Sequence, residues 1–185
     1  SGKGDTSQKL TLMKTSADSL KKSADALNDS SLWEKKKIKK KDEKTGEEIA
    51  VEDYDWDKIT KAVKSFVEDY NDVVREAGES NTKDVLRNAS WMTGMTDKNS
   101  NMLAKIGITI GKGNKLELDE DALKQADISS LKTVFTGYNS FVSKISQKAT
   151  GISNAANRAS ATYTNNGTYS KTDSSLTSSK IDKEV

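Results

Sequence analysis

The stretch that decides the fold is Trp56-Asp57-Lys58-Ile59-Thr60-Lys61-Ala62-Val63-Lys64-Ser65-Phe66-Val67-Glu68-Asp69-Tyr70-Asn71-Asp72-Val73-Val74-Arg75-Glu76-Ala77. Trp56, Ile59, Val63, Phe66, Tyr70, Val73 and Ala77 recur at alternating spacings of three and four, which places them on one face of a helix. Val67 and Val74 widen that face. Asp53, Asp55 and Asp57 put negative charge at its start, where the helix dipole favours it, and Gly78 is a natural stop. The spacing predicts a helix over about Asp55 to Glu79.

Outward from this rod the same spacing returns twice. Leu10, Met13, Ala17, Leu20, Ala24 and Leu27 form a narrow stripe on a helix from about Thr6 to Ser30, capped by Asp5 or Thr6. Its two alanines imply close approach of a partner helix, as in a coiled coil. Phe141, Val142, Ile145, Ala149, Ile152, Ala156 and Ala159 line a third helix, from about Tyr138 to Ala161. The expected fold class is mainly α: an elongated bundle of three long helices with one or two short β-hairpins.

The hairpins fall between the rods. Lys37-Ile38-Lys39 and Glu48-Ile49-Ala50-Val51 flank the turn Lys44-Thr45-Gly46-Glu47, giving a basic strand opposite an acidic one. A patch for anionic surfaces is the sharper reading of the lysines; a solvated hairpin with cross-strand charge pairs is the more economical one. Ile108-Thr109-Ile110 and Lys115-Leu116-Glu117-Leu118 flank Gly111-Lys112-Gly113-Asn114 as a second hairpin. A short helix is expected after Asn81 or Thr82, through Leu86 and Ala89 towards Trp91, followed by a loop from Met92 to Asp97 around Gly94. A helical turn around Met102, Leu103 and Ile106 comes next. Asp119 caps a short helix with Ala122 and Leu123, and Ser129 or Ser130 caps another with Leu131, Val134 and Phe135, stopped at Gly137. The expected organisation is a bundle domain over residues 1–161, with hairpin insertions at about 35–51 and 108–118. Residues 162–185 are a Ser/Thr-rich tail, with a turn at Asn165-Asn166-Gly167 between Tyr163 and Tyr169 or no order at all.

Composition narrows the chemistry. Of 185 residues, 33% are hydrophobic and 31% charged, so the core is thin. Cys, His and Pro are absent. That removes thiol nucleophiles, thiolate and imidazole metal sites, and the usual general base, and it suits long unbroken helices. Thirty basic residues against 28 acidic ones lack the bias of a nucleic-acid binder. No apolar stretch approaches the roughly 20 residues that span a bilayer. No apolar run follows Ser1-Gly2-Lys3-Gly4 and no initiating Met precedes it, which reads as a processed or engineered fragment.

The candidate chemical motifs fail on spacing. Asp53-Tyr54-Asp55-Trp56-Asp57 opens like a calcium loop, but the sixth position is Lys58 rather than Gly and the twelfth is Lys64 rather than Glu. Gly107, Gly111 and Gly113 lack the phosphate-loop spacing. Glu47, Glu48, Glu68, Asp69, Asp119, Glu120 and Asp121 fall on polar faces or helix starts, and Trp33, Trp56 and Trp91 read as core or rim packing. No catalytic residue, cofactor, metal or small-molecule substrate is expected. The informative signal is the narrow seams, which either close within the chain or join other helices. Phe66, Tyr70, Val73, Ile145 and Ile152 are the candidate interaction residues.

Three phrases in order carry a family resemblance. They are Val67-Glu68-Asp69-Tyr70-Asn71-Asp72-Val73; then Leu103-Ala104-Lys105-Ile106-Gly107-Ile108-Thr109 with Gly113-Asn114-Lys115-Leu116-Glu117-Leu118-Asp119-Glu120; then Val134-Phe135-Thr136-Gly137. Together the segment from Ile59 to Gly137 resembles the C-terminal part of the flagellar filament-capping family, hook-associated protein 2. The resemblance implies a flagellin-like helical bundle of the kind found in cap proteins. It also implies a secreted, non-enzymatic role in oligomerising at a filament tip and guiding flagellin, with adhesion in some members. Implied partners are further copies of the chain or a flagellin-like protein, outside the cell. That family places large β-rich domains between its first two bundle helices; here about Leu32 to Tyr54 fill the space. Two other readings remain at this level, a secreted or cell-surface binding module and a cytoplasmic helical adaptor.

Overall fold

The computed structural model describes residues 4–165, with side chains through residue 162. Helix α1 (Ser7–Leu27) buries Leu10, Met13, Ala17, Leu20, Ala24 and Leu27, the six stripe residues, and Thr6 caps it by accepting from the Lys9 N–H at 3.1 Å. Helix α2 (Trp56–Ala77) buries Ile59, Thr60, Val63, Phe66, Val67, Tyr70, Val73 and Ala77, and Asp55 caps it through the Lys58 N–H. Helix α7 (Phe141–Asn165) buries Phe141, Val142, Ile145, Ala149, Ile152, Ala155 and Ala156, while Ala159 is half-buried. The described part of α7 therefore includes the backbone of Tyr163; the proposed turn beyond it and the rest of the tail lie outside the described residues.

A fourth helix joins these three. Helix α3 (Lys83–Lys98) runs through the segment expected to be a loop. Val85, Ala89, Met92 and Thr96 are buried at spacings of four, three and four, so the helical face continues past Gly94. A mid-helix glycine costs about 1 kcal/mol relative to alanine. Burial of Met92 and the polar contact of Thr96 offset that. Side-chain contacts fix the directions. Ser146 meets Asp25 and Ser153 meets Asp18, so α1 and α7 are antiparallel. Asn88 lies against Gly151 and Trp91 under Lys148, so α3 and α7 are antiparallel too. Asp5 before α1 meets Ser80 after α2, and Ser23 near the end of α1 meets Asp69, so α1 and α2 are antiparallel. Helix α3 runs opposite to α7 as α1 does, so it is antiparallel to α2 as well, and the four helices close a ring.

The remaining elements connect where α1 and α3 stop, and the strand Leu116–Leu118 packs back along α2 as far as Asn71. A 3-10 turn, Ser30–Trp33, leads into strand β1 (Lys36–Lys41), which pairs antiparallel with β2 (Glu48–Asp53). After α3 come α4 (Ser100–Ala104), the antiparallel pair β3 (Ile108–Ile110) and β4 (Leu116–Leu118), α5 (Glu120–Gln125) and α6 (Ile128–Phe135). Asp119 caps α5 as expected, accepting from the Ala122 N–H at 3.0 Å. Helix α6 starts earlier than expected: Asp127 precedes it, and Ser129 donates to the Asp127 carboxylate at 3.0 Å instead of capping the helix.

Aromatic rings lock this end. Trp33 is 1% exposed, stacks on Phe135 with centroids 5.5 Å apart, and donates its indole N–H to the Leu27 carbonyl at 2.7 Å. Phe66 meets Phe135 and Phe141 edge-on, both at 6.4 Å. At the opposite end Asp5 is buried. It accepts from the Ser80 hydroxyl at 2.6 Å, the Asn81 N–H at 3.0 Å and the Thr82 hydroxyl at 2.6 Å, tying the chain before α1 to the α2–α3 corner.

Candidate interaction surfaces

The five seam residues sit inside the closed ring. Phe66, Tyr70, Val73, Ile145 and Ile152 are each no more than 1% exposed. Tyr70 donates its hydroxyl to Thr96 at 2.8 Å, and Thr96 passes a hydrogen bond to the Met92 carbonyl at 2.9 Å. Burial pushes the Tyr70 phenol up to about 12, against the pull of the Thr96 hydrogen bond. These seams are filled by helices of the same chain. Presenting them as a face to another molecule therefore means opening the bundle. Spacing alone gives no signal for that distinction, since an inward seam and an intermolecular one have the same period.

The α1–α7 seam carries a polar pattern with a heptad repeat. Asp18 and Asp25 lie seven residues apart on α1; Ser153 and Ser146 lie seven apart on α7 and donate to them at 2.6 and 2.7 Å. Each aspartate also takes a lysine four residues before it, Lys14 at 2.8 Å and Lys21 at 2.6 Å. Burial works to raise both carboxyls, but these hydrogen bonds outweigh it and hold them below the usual carboxylate range. The clasps fix register between two helices whose facing surfaces mix alanines with larger apolar residues.

The phrases that carried the resemblance are joints of the fold. Asn71 bridges both ways to the Leu116 backbone, at 2.7 and 3.0 Å. Gly107 holds φ +91°, and a β-carbon there would come 2.7 Å from the Asp119 carbonyl oxygen. Gly137 also has positive φ, and its N–H donates to Asn28 Oδ1 at 2.8 Å, closing the aromatic end.

Three exposed features stand out on the surface. The first is the hairpin β1–β2, whose strands are exposed except at half-buried Lys36, Ile38, Val51 and Asp53. The second is the α3–α7 face, where Trp91 is 54% exposed with the Lys148 ammonium 4.6 Å from its ring centre. The third is a cleft of about 550 Å³ at the Asp5 end, lined by Leu10, Lys83, Asp84, Ala155 and Arg158 among others. Of the carboxylates considered for chemistry, Asp55 and Asp119 cap helices and Glu120 faces Lys64 at 3.6 Å. Among the described residues no group of three or more His, Cys, Asp or Glu is placed to hold a metal ion, and no helix is long and apolar enough to cross a membrane.

Comparison with known families gives a match over residues 80–184 to the flagellar hook-associated protein 2 C-terminus. The match covers more than half of the chain, and takes in the Leu103–Glu120 and Val134–Gly137 phrases; the Val67–Val73 phrase lies before it. No curated protein and no solved structure matches the chain.

Proposed function

We propose that this chain, which belongs to the flagellar hook-associated protein 2 C-terminal family, is a non-enzymatic assembly element of a bacterial flagellum, acting outside the cell. It works by contact of its folded exterior with further copies of itself or with a flagellin-like protein. The observation that carries this reading is the family match over residues 80–184 on a closed helical bundle. The antiparallel long helices support a bundle of the flagellin and cap-protein kind. Since Phe66, Tyr70, Val73, Ile145 and Ile152 are spent on closing the bundle, the working contacts fall to the hairpin, the Trp91 face and the cleft at the Asp5 end.

Co-sedimentation with flagellin, paired with sedimentation velocity of the chain alone, tests this. Binding to flagellin or concentration-dependent self-association is expected. A chain that stays monomeric and leaves flagellin in the supernatant sinks the proposal. The exposed hairpin favours a second reading, a cell-surface binding module with adhesive contacts. Deleting residues 36–53 then abolishes surface binding while flagellin co-sedimentation is unchanged.

A further inference from the structure

The hairpin β1–β2 has the composition of a joint. β1 is lysine at every position except Ile38, and β2 reads Glu48-Ile49-Ala50-Val51-Glu52-Asp53. Lys37 stands opposite Glu52, Lys39 opposite Ala50 and Lys41 opposite Glu48. Just beyond these pairs the Asp42 N–H donates to the Glu47 carbonyl at 2.7 Å. Opposed residues in an antiparallel ladder alternate between bonded and non-bonded pairs. Residues 36, 38 and 40 therefore bond across to 53, 51 and 49, while Lys37, Lys39 and Lys41 turn their backbone groups outward, as do Glu48, Ala50 and Glu52.

Charge follows the same division. On the half-buried face Lys40 bonds to Asp53. On the open face Lys37, Lys39, Lys41, Glu48 and Glu52 are all exposed, and among the described residues none of them makes an ion pair. Two strands alone are marginally stable in water, and both edges of this pair are open, since it is a sheet of two strands. Ile49 is 42% exposed on it.

We propose that this hairpin is a strand-addition joint for a second copy of the chain, with the acidic β2 edge of one copy pairing with the basic β1 edge of the next. The inference rests on the self-contact reading above. Lysine edges deter pairing of like with like, so two β1 edges repel and so do two β2 edges. Basic against acidic is attractive, and cross-strand opposite charges stabilise a ladder. The contact is head to tail, so each pairing leaves one basic and one acidic edge free, and growth continues until a ring closes or a chain extends.

Two proline variants of the full chain test it by sedimentation velocity. Lys39→Pro removes an outward N–H from β1 and Ala50→Pro one from β2, and neither position donates within the hairpin ladder. The wild type should grow beyond a dimer with concentration. Each variant alone should stay monomeric, and their equimolar mixture should form a dimer and stop, because only one competent edge of each kind remains. Lys39→Glu with Lys41→Glu, which keeps the backbone ladder, should weaken association at least about tenfold, with the effect shrinking at high salt. If the wild type associates and the variants associate equally well, or the mixture stays monomeric, the joint is overturned and the proposed function stands. A monomeric wild type that binds flagellin overturns only the joint; one that does neither overturns both.

Discussion

Asn71 on α2 and Leu116 on β4 exchange hydrogen bonds in both directions: the Leu116 N–H donates to Asn71 Oδ1 at 2.7 Å, and Asn71 Nδ2 donates to the Leu116 carbonyl at 3.0 Å. A side-chain amide thus stands in for the next strand on a two-stranded hairpin. Asn71→Leu leaves both backbone groups without partners, and each unpaired group costs about 1–3 kcal/mol. We expect a lower urea midpoint and faster amide exchange at Leu116, with α1 and α7 still protected. Unchanged exchange at Leu116 would show that the bridge does not hold the hairpin.

Gly107 makes a sharper prediction. Its φ is +91°, and an added β-carbon would lie 2.7 Å from the Asp119 carbonyl oxygen and 3.0 Å from the Leu123 nitrogen, both backbone. Gly107→Ala combines a left-handed backbone cost of about 1–2 kcal/mol with overpacking of about 1–3 kcal/mol. Thermal unfolding should show a loss of about 2 kcal/mol or more.

Gly94 should behave in the opposite way. It lies inside α3, and a β-carbon there meets nothing within 4 Å. Gly94→Ala should stabilise the chain by up to about 1 kcal/mol through helix propensity and a less disordered unfolded state. A destabilised variant would argue against a continuous helix here.

The long rods and both hairpins were legible because each has a clean period. Every stripe residue named on α1 is buried, as are Ile59 to Ala77 in their spacing of three and four. The second half of α3 was illegible because Gly94 and the polar Thr93, Thr96, Asp97 and Lys98 look like a loop. Only the buried hydroxyl pair Tyr70–Thr96 explains why a threonine occupies a core position. Asp5 was read as a possible cap, yet it serves residues 80–82, a pairing across 75 positions that no local pattern encodes. The destination of Phe66 and Ile145, inward rather than onto a partner, depends on the whole ring of helices closing.

Stability should fall at both extremes of pH, for separate reasons. Burial works to raise the Asp5 carboxyl, but hydrogen bonds from Asn81, Ser80 and Thr82 outweigh it and hold it below the usual carboxylate range. A depressed carboxylate contributes stability above its unfolded value, near 4, which is lost as pH falls through the folded value. Tyr70 is raised to about 12, so its contribution is complete below roughly pH 10 and is lost as pH rises towards 12. Chemical denaturation across pH should show Asp5→Asn weakening the acid dependence and Tyr70→Phe the alkaline one. Curves of unchanged shape would contradict these assignments.

A lock across the α1–α7 seam tests the central claim most directly, namely that the bundle stays shut while its exterior makes the contacts. The chain has no cysteine, so Asp18→Cys with Ser153→Cys, at facing positions of the two helices, can be bridged through two mixed disulfides by a short bis-methanethiosulfonate reagent, which is the oxidised form, and a reductant releases the bridge. Sedimentation velocity with and without flagellin, on the oxidised and reduced forms, is the measurement. Equal association in both forms is predicted. Association that disappears on oxidation and returns on reduction would mean that the helices must part to bind, and would contradict the account.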